Sequence, residues 1–290
     1  MRGAILLLAA LLAGCSNSPP ARYVVGDPYR MGGVWSYPRE DFALVETGLA
    51  TRHAVPGWNA RTANGEAWSD GRALAAHRTL QLPAVVAVTN LETGRTLLVR
   101  VNDRGPANPG RVIGLSDRAA TLLGIPAGGS AQVRIAVDGE RSRALAEAAP
   151  PAERPPLPIE AAPRAAVAAE SLDAPPGARS ATPARAAAPP RQATPDAPAA
   201  APADTPLPET VAHSAPAPGR VMIEAGTLSR PEAAARLAAR IPGARVEAFG
   251  PRRDQQYRVR IGPFDSVAAA DAALERTLAA GVSGARILVD

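Results

Sequence analysis

The sequence has 290 residues but only one cysteine, three histidines and no lysine. A single cysteine excludes a disulfide bond within the chain and argues strongly against a cysteine-based zinc site. All 32 basic residues are arginines, and no basic helix or cluster of arginine with aromatic residues stands out. Because the arginines form no such helix or cluster, we expect no nucleic-acid partner despite their number. We also expect no metal ion and no cofactor.

Aromatic residues are scarce as well, at 3% of the chain, whereas there are 31 prolines and abundant alanine. Such a composition offers little large apolar surface for one extensive core. A chain of this length has room for about two ordinary domains. The composition therefore predicts small folded domains joined by a disordered tract.

The first 14 residues have the features of a secretory signal, with Arg2 followed by an apolar run from residue 4 to residue 13. That run is too short to span a bilayer. The small residues before Cys15 resemble a lipobox, in which the cysteine becomes the lipidated first residue of the mature protein. Ser16 at the next position favours sorting to the outer membrane in that class. The alternative is an ordinary secretory signal with an incidental cysteine.

We therefore predict a signal peptide over residues 1–14 and a lipidated N-terminus and tether over residues 15–44. Lipid attached to Cys15 would hold the protein at the periplasmic face of the outer membrane. The tether lacks clear periodicity and carries scattered aromatic residues, so we expect a mostly irregular conformation.

Residues 45–138 have a strand-rich pattern. Two β-rich runs, residues 84–89 and 96–101, flank a glycine-containing turn and predict a hairpin. Residues 132–137 alternate polar and apolar side chains, which is typical of a half-buried strand. Residues 116–123 predict a short helix that begins at Ser116 and is ended by Gly124. Several short strands with one short helix predict a small closed β-barrel.

Residues 139–218 contain 18 of the 31 prolines, spread among alanine, arginine, threonine and serine. Proline removes backbone donors and alanine buries little surface, so we predict a disordered linker. On such a linker the flanking domains are expected to move independently.

Residues 219–290 are periodic again and predict an α+β domain with the element order βαββαβ, a ferredoxin-like arrangement. The predicted elements are a strand over 221–225, a helix from Pro231 to Ile241, strands over 244–249 and 256–261, a helix over 266–280 and a strand over 286–289. The fold class is therefore multidomain, with an all-β barrel and an α+β domain joined by a Pro/Ala-rich linker.

The barrel segment contains a candidate pair of catalytic carboxylates, Glu66 and Asp103, with His77 between them in sequence. Paired carboxylates suit glycosidic cleavage, since one can hold a proton for the leaving oxygen while the other stabilises positive charge on the sugar. The alternatives are structural: Asp103 caps its own turn, Glu66 lies in a surface loop, and His77 is a structural histidine. His53 is expected to be structural.

The motifs around these residues resemble the rare lipoprotein A family, which comprises septal lytic transglycosylases with a double-psi β-barrel. The matching motifs are Thr62-Ala63-Asn64-Gly65-Glu66, Ala75-Ala76-His77, Val101-Asn102-Asp103-Arg104-Gly105-Pro106, Gly110-Arg111-Val112-Ile113 and Leu115-Ser116. The resemblance implies cleavage of the β-1,4 bond between N-acetylmuramic acid and N-acetylglucosamine, leaving a 1,6-anhydro product. It also implies that the residues matching Glu66, His77 and Asp103 take part in this activity.

On that basis we hypothesise that Asp103 acts first as general acid and then as base. Glu66 would stabilise positive charge on the sugar or orient the reacting groups, and His77 would help to position those groups. We predict that four neighbouring side chains bind substrate: Asn64, Trp68, Asn102 and Arg104. For Arg104 the alternative is a merely solvated charge.

Two departures from the family pattern weaken the case for activity. An aromatic Ser-Trp-Tyr-Gly stretch is usual at the first barrel strand, where this chain has Ala50-Thr51-Arg52-His53-Ala54. The family's Ile-Asp-Leu-Ser becomes Ile113-Gly114-Leu115-Ser116, so a carboxylate is lost at Gly114. These departures favour the alternative of a barrel that binds peptidoglycan without cleaving it.

The C-terminal segment resembles a SPOR domain, a domain that binds glycan strands stripped of their stem peptides. Residues 257–264 match its third strand well, and residues 223–228 match its first strand more loosely. We predict that the sugar contacts are made by Glu224, Thr227, Arg258 and Arg260. The alternative is that the two arginines are only solvated.

The combined prediction is an outer-membrane lipoprotein that cleaves denuded peptidoglycan at the division septum. Its partners would be denuded glycan strands, the outer membrane through the lipid anchor, and possible divisome proteins. One alternative is a non-catalytic lipoprotein that binds septal peptidoglycan. Another is a scaffold that recruits division proteins, which would leave the carboxylate pair unexplained.

Overall fold

A computed structural model describes residues 21–57, 60–150 and 207–290. The predicted signal peptide, the lipidation site Cys15 and residues 151–206 of the predicted linker lie outside the described residues. Within the described residues, the helices are too short or too polar to cross a membrane.

Short strands dominate the first part of the chain. The strands are β1 (Tyr29–Met31), β2 (Val34–Ser36), β3 (Val45–Arg52), β4 (Leu74–Ala76), β5 (Ala84–Asn90), β6 (Arg95–Asp103), β7 (Ile113–Leu115) and β8 (Ser130–Val137). Two helices accompany them, α1 (Asp117–Leu123) and α2 (Gly139–Ala148).

Strands β3 to β8 form the closed barrel that the sequence predicts. Their order is β4-β7-β3-β8-β5-β6, and a further pairing of β4 with β6 closes the ring. The β3–β7 and β4–β6 pairs are parallel, whereas the other pairs are antiparallel. The predicted hairpin is confirmed, since β5 and β6 pair from Ala84–Val101 to Thr89–Thr96. Alternate side chains such as Val86, Val99 and Val133 are fully buried in the barrel core.

The predicted short helix is confirmed as α1, together with both of its caps. The Ser116 hydroxyl accepts a hydrogen bond from the backbone N–H of Ala119. Gly124 ends the helix with a φ of 76°, the left-handed conformation in which glycine is favoured. Ala119, Ala120 and Leu123 point into the barrel core, so α1 covers part of it.

The described part of the predicted tether is mostly irregular, and it packs on the barrel. Val24 pairs with Leu82, and β1 and β2 form a small antiparallel hairpin. The Tyr29 hydroxyl donates a hydrogen bond to the Arg78 carbonyl at 2.9 Å. Each strand has only three residues, which is too short for a hydrophobic period to show in the sequence.

The predicted linker is also shorter than residues 139–218, because both of its ends are structured. At its start, α2 is capped by Asp138 and lies against β5, where the buried Ser142 hydroxyl accepts from the Val85 N–H at 2.9 Å. At its end, β9 (Ala212–His213) pairs with β6. Sequence periodicity does not reveal this helix, because its buried residue is Ser142 and it lacks a stripe of large apolar residues.

The C-terminal part confirms the predicted βαββαβ order. Its elements are β10 (Val221–Leu228), α3 (Pro231–Ala239), β11 (Arg245–Phe249), β12 (Gln256–Phe264), α4 (Val267–Ala279) and β13 (Arg286–Val289). The sheet order is β11-β12-β10-β13, and all neighbours are antiparallel. Ile223 and Val259 pack in the core with Ala234 of α3 and Leu274 of α4. We call residues 219–290 the C-terminal domain.

The barrel and the C-terminal domain belong to one compact unit, and their independent motion stays a prediction. Leu49 of β3 is fully buried within the apolar cluster of the C-terminal domain. The Thr47 hydroxyl donates to the Val289 carbonyl at 2.5 Å. Arg111 forms two hydrogen bonds to the Asp271 carboxylate, at 2.7 and 2.8 Å. Sequence periodicity carries no information about a contact between residues 160 positions apart.

Candidate functional site

Asp103 ends β6, and both oxygens of its side chain are held. Oδ1 accepts a hydrogen bond from the backbone N–H of Ala63 at 2.9 Å. Oδ2 lies 3.2 Å from Nε2 of His53. The Asp103 side chain is 14% exposed and that of His53 16% exposed, so the pair is largely shielded from water. The carboxyl is therefore oriented in advance while it retains access to solvent.

His53 is the residue of this site that sequence reasoning missed. It follows the end of β3, 50 positions before Asp103, and its ring meets that of Trp68 edge to face at a centroid distance of 5.1 Å. The predicted role of Trp68 in substrate binding stays a prediction, and its observed contact is with the His53 ring. The available signal is the departure from the family pattern at this strand, where a histidine stands in a stretch that is usually aromatic.

Gly114 of β7 lies directly against His53. A Cβ atom at residue 114 would lie 2.7 Å from the Cβ of His53, closer than real side chains approach. A side chain at residue 114 therefore requires the segment that carries His53 to shift.

We expect Gly114→Ala to destabilise the barrel by about 1–3 kcal/mol, because the added methyl group is forced against His53. Removing the Cβ of residue 53 with His53→Gly should relieve this penalty, so the double variant should be more stable than the single effects add up to. Urea denaturation of the four proteins measures the coupling. Gly71→Ala is the control, since its Cβ would meet only the Ser69 hydroxyl at 3.7 Å. Strictly additive effects would contradict the proposed clash.

Glu66 lies in a buried network rather than in an open loop. Its side chain is 6% exposed and forms an ion pair with Arg100, whose side chain is 3% exposed. The amide groups of Asn64 and Asn102 donate to its two oxygens at 2.8 and 2.9 Å. The two predicted substrate-binding asparagines therefore hold Glu66, and the structural alternative of a surface loop residue does not describe it.

The network keeps Glu66 ionised. Burial by itself raises the pKa of the carboxyl, but the hydrogen bonds and charge of Arg100, with the hydrogen bonds from Asn102 and Asn64, bring that pKa below its ordinary value. A carboxylate held in this way is a poor proton donor at neutral pH. Since Asn102 directly precedes Asp103, the arrangement suits the predicted orienting role of Glu66, which stays a prediction.

His77 points to a different part of the barrel. Its Nδ1 accepts hydrogen bonds from the backbone N–H groups of Thr79 and Leu80, at 3.3 and 3.2 Å, which places the ring proton on Nε2. Nε2 lies 3.8 Å from the Glu46 carboxylate. Burial opposes ionisation of Glu46, but the adjacent His77 ring and the charges of Arg286 and Arg39 lower its pKa overall. Among the described residues, His77 has no hydrogen bond to the side chains of Asp103 or Glu66.

Arg104 is largely occupied by backbone contacts. Its two Nη atoms donate to the carbonyl oxygens of Val25, His77 and Leu80. These bonds join the segment before the barrel to the turn after β4. The predicted role of Arg104 in substrate binding stays a prediction, and its observed role is to hold these segments together.

The four predicted sugar-binding residues of the C-terminal domain differ in how exposed they are and in whether their side chains already contact other residues. Thr227 is exposed, and Arg258 stacks over the Phe249 ring at 3.6 Å. Glu224 bonds to Arg286 at 3.0 Å. Arg260 is 7% exposed and pairs with Asp290 at 2.9 Å.

In the part of the chain that the structure describes, no three side chains of histidine, cysteine, aspartate or glutamate are grouped as a metal site would require. The ionisable groups that the barrel brings together are the Asp103–His53 pair, the Glu66 network and the His77–Glu46 pair.

Comparison with known proteins gives two domain matches. Residues 52–135 match the family described as lytic transglycolase, and residues 217–287 match the SPOR domain. The two matched ranges cover most of the barrel and of the C-terminal domain.

Curated relatives carry the name endolytic peptidoglycan transglycosylase RlpA. The protein from Vibrio cholerae is 35% identical over 162 residues, covering 46% of this chain and 61% of the relative. That from Pseudomonas aeruginosa strain PA14 is 42% identical over 113 residues, covering 39% and 33%. That from Rickettsia bellii is 37% identical over 116 residues, covering 39% and 51%.

The matched region thus spans between about one third and six tenths of the length of these relatives. The order of the two domains along the chain agrees with the observed barrel and C-terminal sheet. The chain is therefore similar to the RlpA relatives over its barrel and to the SPOR domain over its C-terminal domain.

Proposed function

We propose that this protein is an endolytic lytic transglycosylase that cleaves the N-acetylmuramic acid–N-acetylglucosamine β-1,4 bond of denuded peptidoglycan. The observation that carries the proposal is the oriented Asp103 carboxyl, held by Ala63 N–H on one oxygen and by His53 on the other. The names of the curated relatives and the lytic transglycolase match support the reaction class.

The proposed reaction needs no water. Asp103 in its protonated form gives its proton to the glycosidic oxygen as the bond to the muramyl C1 breaks. The resulting carboxylate accepts the proton of the muramyl C6 hydroxyl, while the C6 oxygen forms a new bond to C1 and closes the 1,6-anhydro ring. The carboxyl ends the cycle protonated, and the intramolecular attack gains effective molarity.

His53 and Glu66 act as positioning residues in this scheme. His53 lies against Oδ2 of Asp103, and its ring can share a proton with that oxygen. Glu66 fixes Asn102, the neighbour of Asp103 in β6, through a hydrogen bond of 2.9 Å. A rigid carboxyl reduces the reorganisation needed when the proton moves.

The location is part of the same proposal. A SPOR domain supports a peptidoglycan-associated protein of the cell envelope. Lipid on Cys15 would tether the chain to the periplasmic face of the outer membrane, and affinity for denuded strands would concentrate it at the septum. Two tethers acting together raise the local concentration of substrate at the barrel.

Digestion of purified sacculi, first stripped of stem peptides by an amidase, tests the proposal. Mass spectrometry of the soluble products should show internal cleavage with new 1,6-anhydro ends and no new reducing ends. Sacculi that keep their stem peptides are the control for the denuded preference. Binding to the denuded sacculi without release of anhydro ends would overturn the enzymatic proposal and favour a non-catalytic peptidoglycan-binding lipoprotein.

A further inference from the structure

The hairpin of β1 and β2 packs over the edge of the barrel at which Asp103 lies. Strands β4 and β6 are parallel, so both end at this edge, and Asp103 is the last residue of β6. The turn after β4 contains Arg78, whose carbonyl accepts a hydrogen bond from the Tyr29 hydroxyl of β1. The loop after β6 contains Ala107, whose carbonyl leaves no room for a Cβ atom at Gly32 in the turn of the hairpin. The hairpin therefore contacts both segments that leave this edge.

The hairpin is also close to Asp103 itself. Burial raises the pKa of the Tyr29 phenol, and two neighbouring charges act on it as well: Arg104 lowers this pKa and Asp103 raises it. A charge shifts a pKa appreciably only when it lies nearby. The inward ring of Tyr29 thus places β1 beside the candidate catalytic carboxyl.

The opposite face of the hairpin carries two exposed aromatic rings. The Ser36 side chain points toward the barrel, since its hydroxyl lies 3.5 Å from an Nη atom of Arg78 and the residue is 4% exposed. Side chains alternate along a strand, so Trp35 and Tyr37 point outward, and they are 53% and 63% exposed. In the part of the chain that the structure describes, they are the two most exposed aromatic residues. A chain with few aromatic residues thus places two of them side by side in solvent.

A positive charge completes this surface. Arg30 of β1 pairs with Trp35 across the hairpin, so both side chains lie on the outer face. Arg30 is exposed, and its Nε donates to the Gly33 carbonyl at 3.3 Å. We call Arg30, Trp35 and Tyr37 the aromatic face. Its two rings are two residues apart in an extended segment, which separates them by about 6–7 Å, comparable to the spacing of neighbouring sugars in a glycan strand.

A glycan strand has the chemistry that fits the aromatic face. The C–H groups of a pyranose ring form an apolar surface that stacks on an aromatic ring. The hydroxyl groups at the rim of the sugar can bond to the Tyr37 hydroxyl and to the Arg30 guanidinium. Removal of a stem peptide leaves a free lactyl carboxylate on the muramyl residue, which suits the same guanidinium.

The position of the aromatic face indicates which part of the strand it would hold. An endolytic enzyme cleaves within a strand, so the strand continues beyond the cleaved bond on both sides of the catalytic carboxyl. Strand β3 contains no aromatic residue, whereas the hairpin supplies two rings at the edge where Asp103 lies. A lipid bilayer against this face would crowd the same edge and hinder entry of the strand. A saccharide is therefore favoured over a lipid surface.

We propose that the aromatic face is a binding subsite for the glycan strand outside the cleaved bond, with Trp35 and Tyr37 stacking on neighbouring sugars. The inference rests on the proposed function for the identity of the strand. It deepens that function, because the subsite makes the barrel select long strands over short fragments. It also gives the barrel a hold on the strand that does not depend on the C-terminal domain.

Fluorine NMR of the full chain tests the proposal at the site itself. The protein carries Asp103→Asn, so that the ligand is not consumed, and fluorotryptophan in place of its three tryptophans. Loss of one resonance in Trp35→Phe identifies the signal of Trp35. We expect that signal to shift and reach saturation when a peptide-free muramyl octasaccharide is added. An unmoved Trp35 signal at saturating octasaccharide would overturn the subsite.

Calorimetric titration with the same octasaccharide measures what the rings contribute. Trp35→Ala combined with Tyr37→Ala should weaken binding by about tenfold, because both stacking surfaces are lost. Trp35→Phe combined with Tyr37→Phe is the matched control, which keeps a ring at each position and should bind as the parent protein does. Any contribution of the C-terminal domain is common to all of these proteins. Thermal unfolding verifies that the variants are folded, and the fluorine experiment needs no change at either ring.

Equal affinity of the alanine variant and its parent would overturn the proposal. A Trp35 signal that moves with vesicles of phosphatidylethanolamine and phosphatidylglycerol, and not with the octasaccharide, would overturn it in favour of a lipid surface. The proposed function is judged separately, by release of anhydro ends from the unmodified chain. Octasaccharide binding at Trp35 without such release would support the subsite and refute the enzyme, and release with an unmoved Trp35 signal would refute the subsite alone.

Discussion

Replacing Asp103 with asparagine should lower the release of 1,6-anhydro ends from denuded glycan by at least about a hundredfold. Asparagine has the same shape, and its side-chain oxygen can still accept the hydrogen bond that Ala63 N–H donates to Oδ1. It has no acidic proton for the glycosidic oxygen and no carboxylate to receive the C6 proton. The variant therefore removes the chemistry of the residue while it preserves most of its contacts.

The measurement is the initial rate of anhydro-end formation, followed by mass spectrometry on amidase-treated sacculi. Asp27→Asn is the matched control, because it makes the same substitution at an exposed position of the segment before the barrel. A sedimentation assay on the same sacculi reports whether binding survives in the Asp103 variant. A loss of activity smaller than about tenfold would contradict the role of Asp103 as the general acid.

The fold was predictable where local chemistry and periodicity agree. The hairpin of β5 and β6 follows from two β-rich runs around a glycine turn, and α1 follows from Ser116 and Gly124 at its ends. The alternation along β12 and the cap at Ser266 similarly locate the C-terminal elements. In each case the residues that determine the element lie within one element or beside it.

The parts that the sequence did not reveal depend on partners that are distant in the chain. His53 contacts Asp103, which lies 50 residues away in the chain. The negative charge of Glu66 is balanced by Arg100, which lies 34 residues away. The docking of the two domains depends on Arg111 and Asp271. Such pairs leave no periodic signal, so the sequence does not show that Glu66 is buried and paired with Arg100.

The Glu66 network leads to the largest stability effect that we expect. Glu66→Gln should destabilise the barrel by about 3–5 kcal/mol, because it leaves the buried Arg100 guanidinium without a compensating charge. Replacing both residues by apolar ones, as in Glu66→Leu with Arg100→Met, should recover much of that loss, since no buried charge then remains. Urea denaturation at neutral pH measures both changes. Glu147→Gln, at an exposed position near the end of α2, is the control.

The pH dependence of stability separates the charge of Glu66 from its shape. Because folding lowers the pKa of this carboxyl from its ordinary value of 4.5, ionised Glu66 stabilises the fold above the unfolded pKa. That contribution is lost as the pH falls through the depressed pKa of the folded state. The difference in unfolding free energy between the wild type and Glu66→Gln should therefore be largest near neutral pH and shrink in acid. A small, pH-independent difference, accompanied by a complete loss of activity, would instead assign Glu66 directly to catalysis.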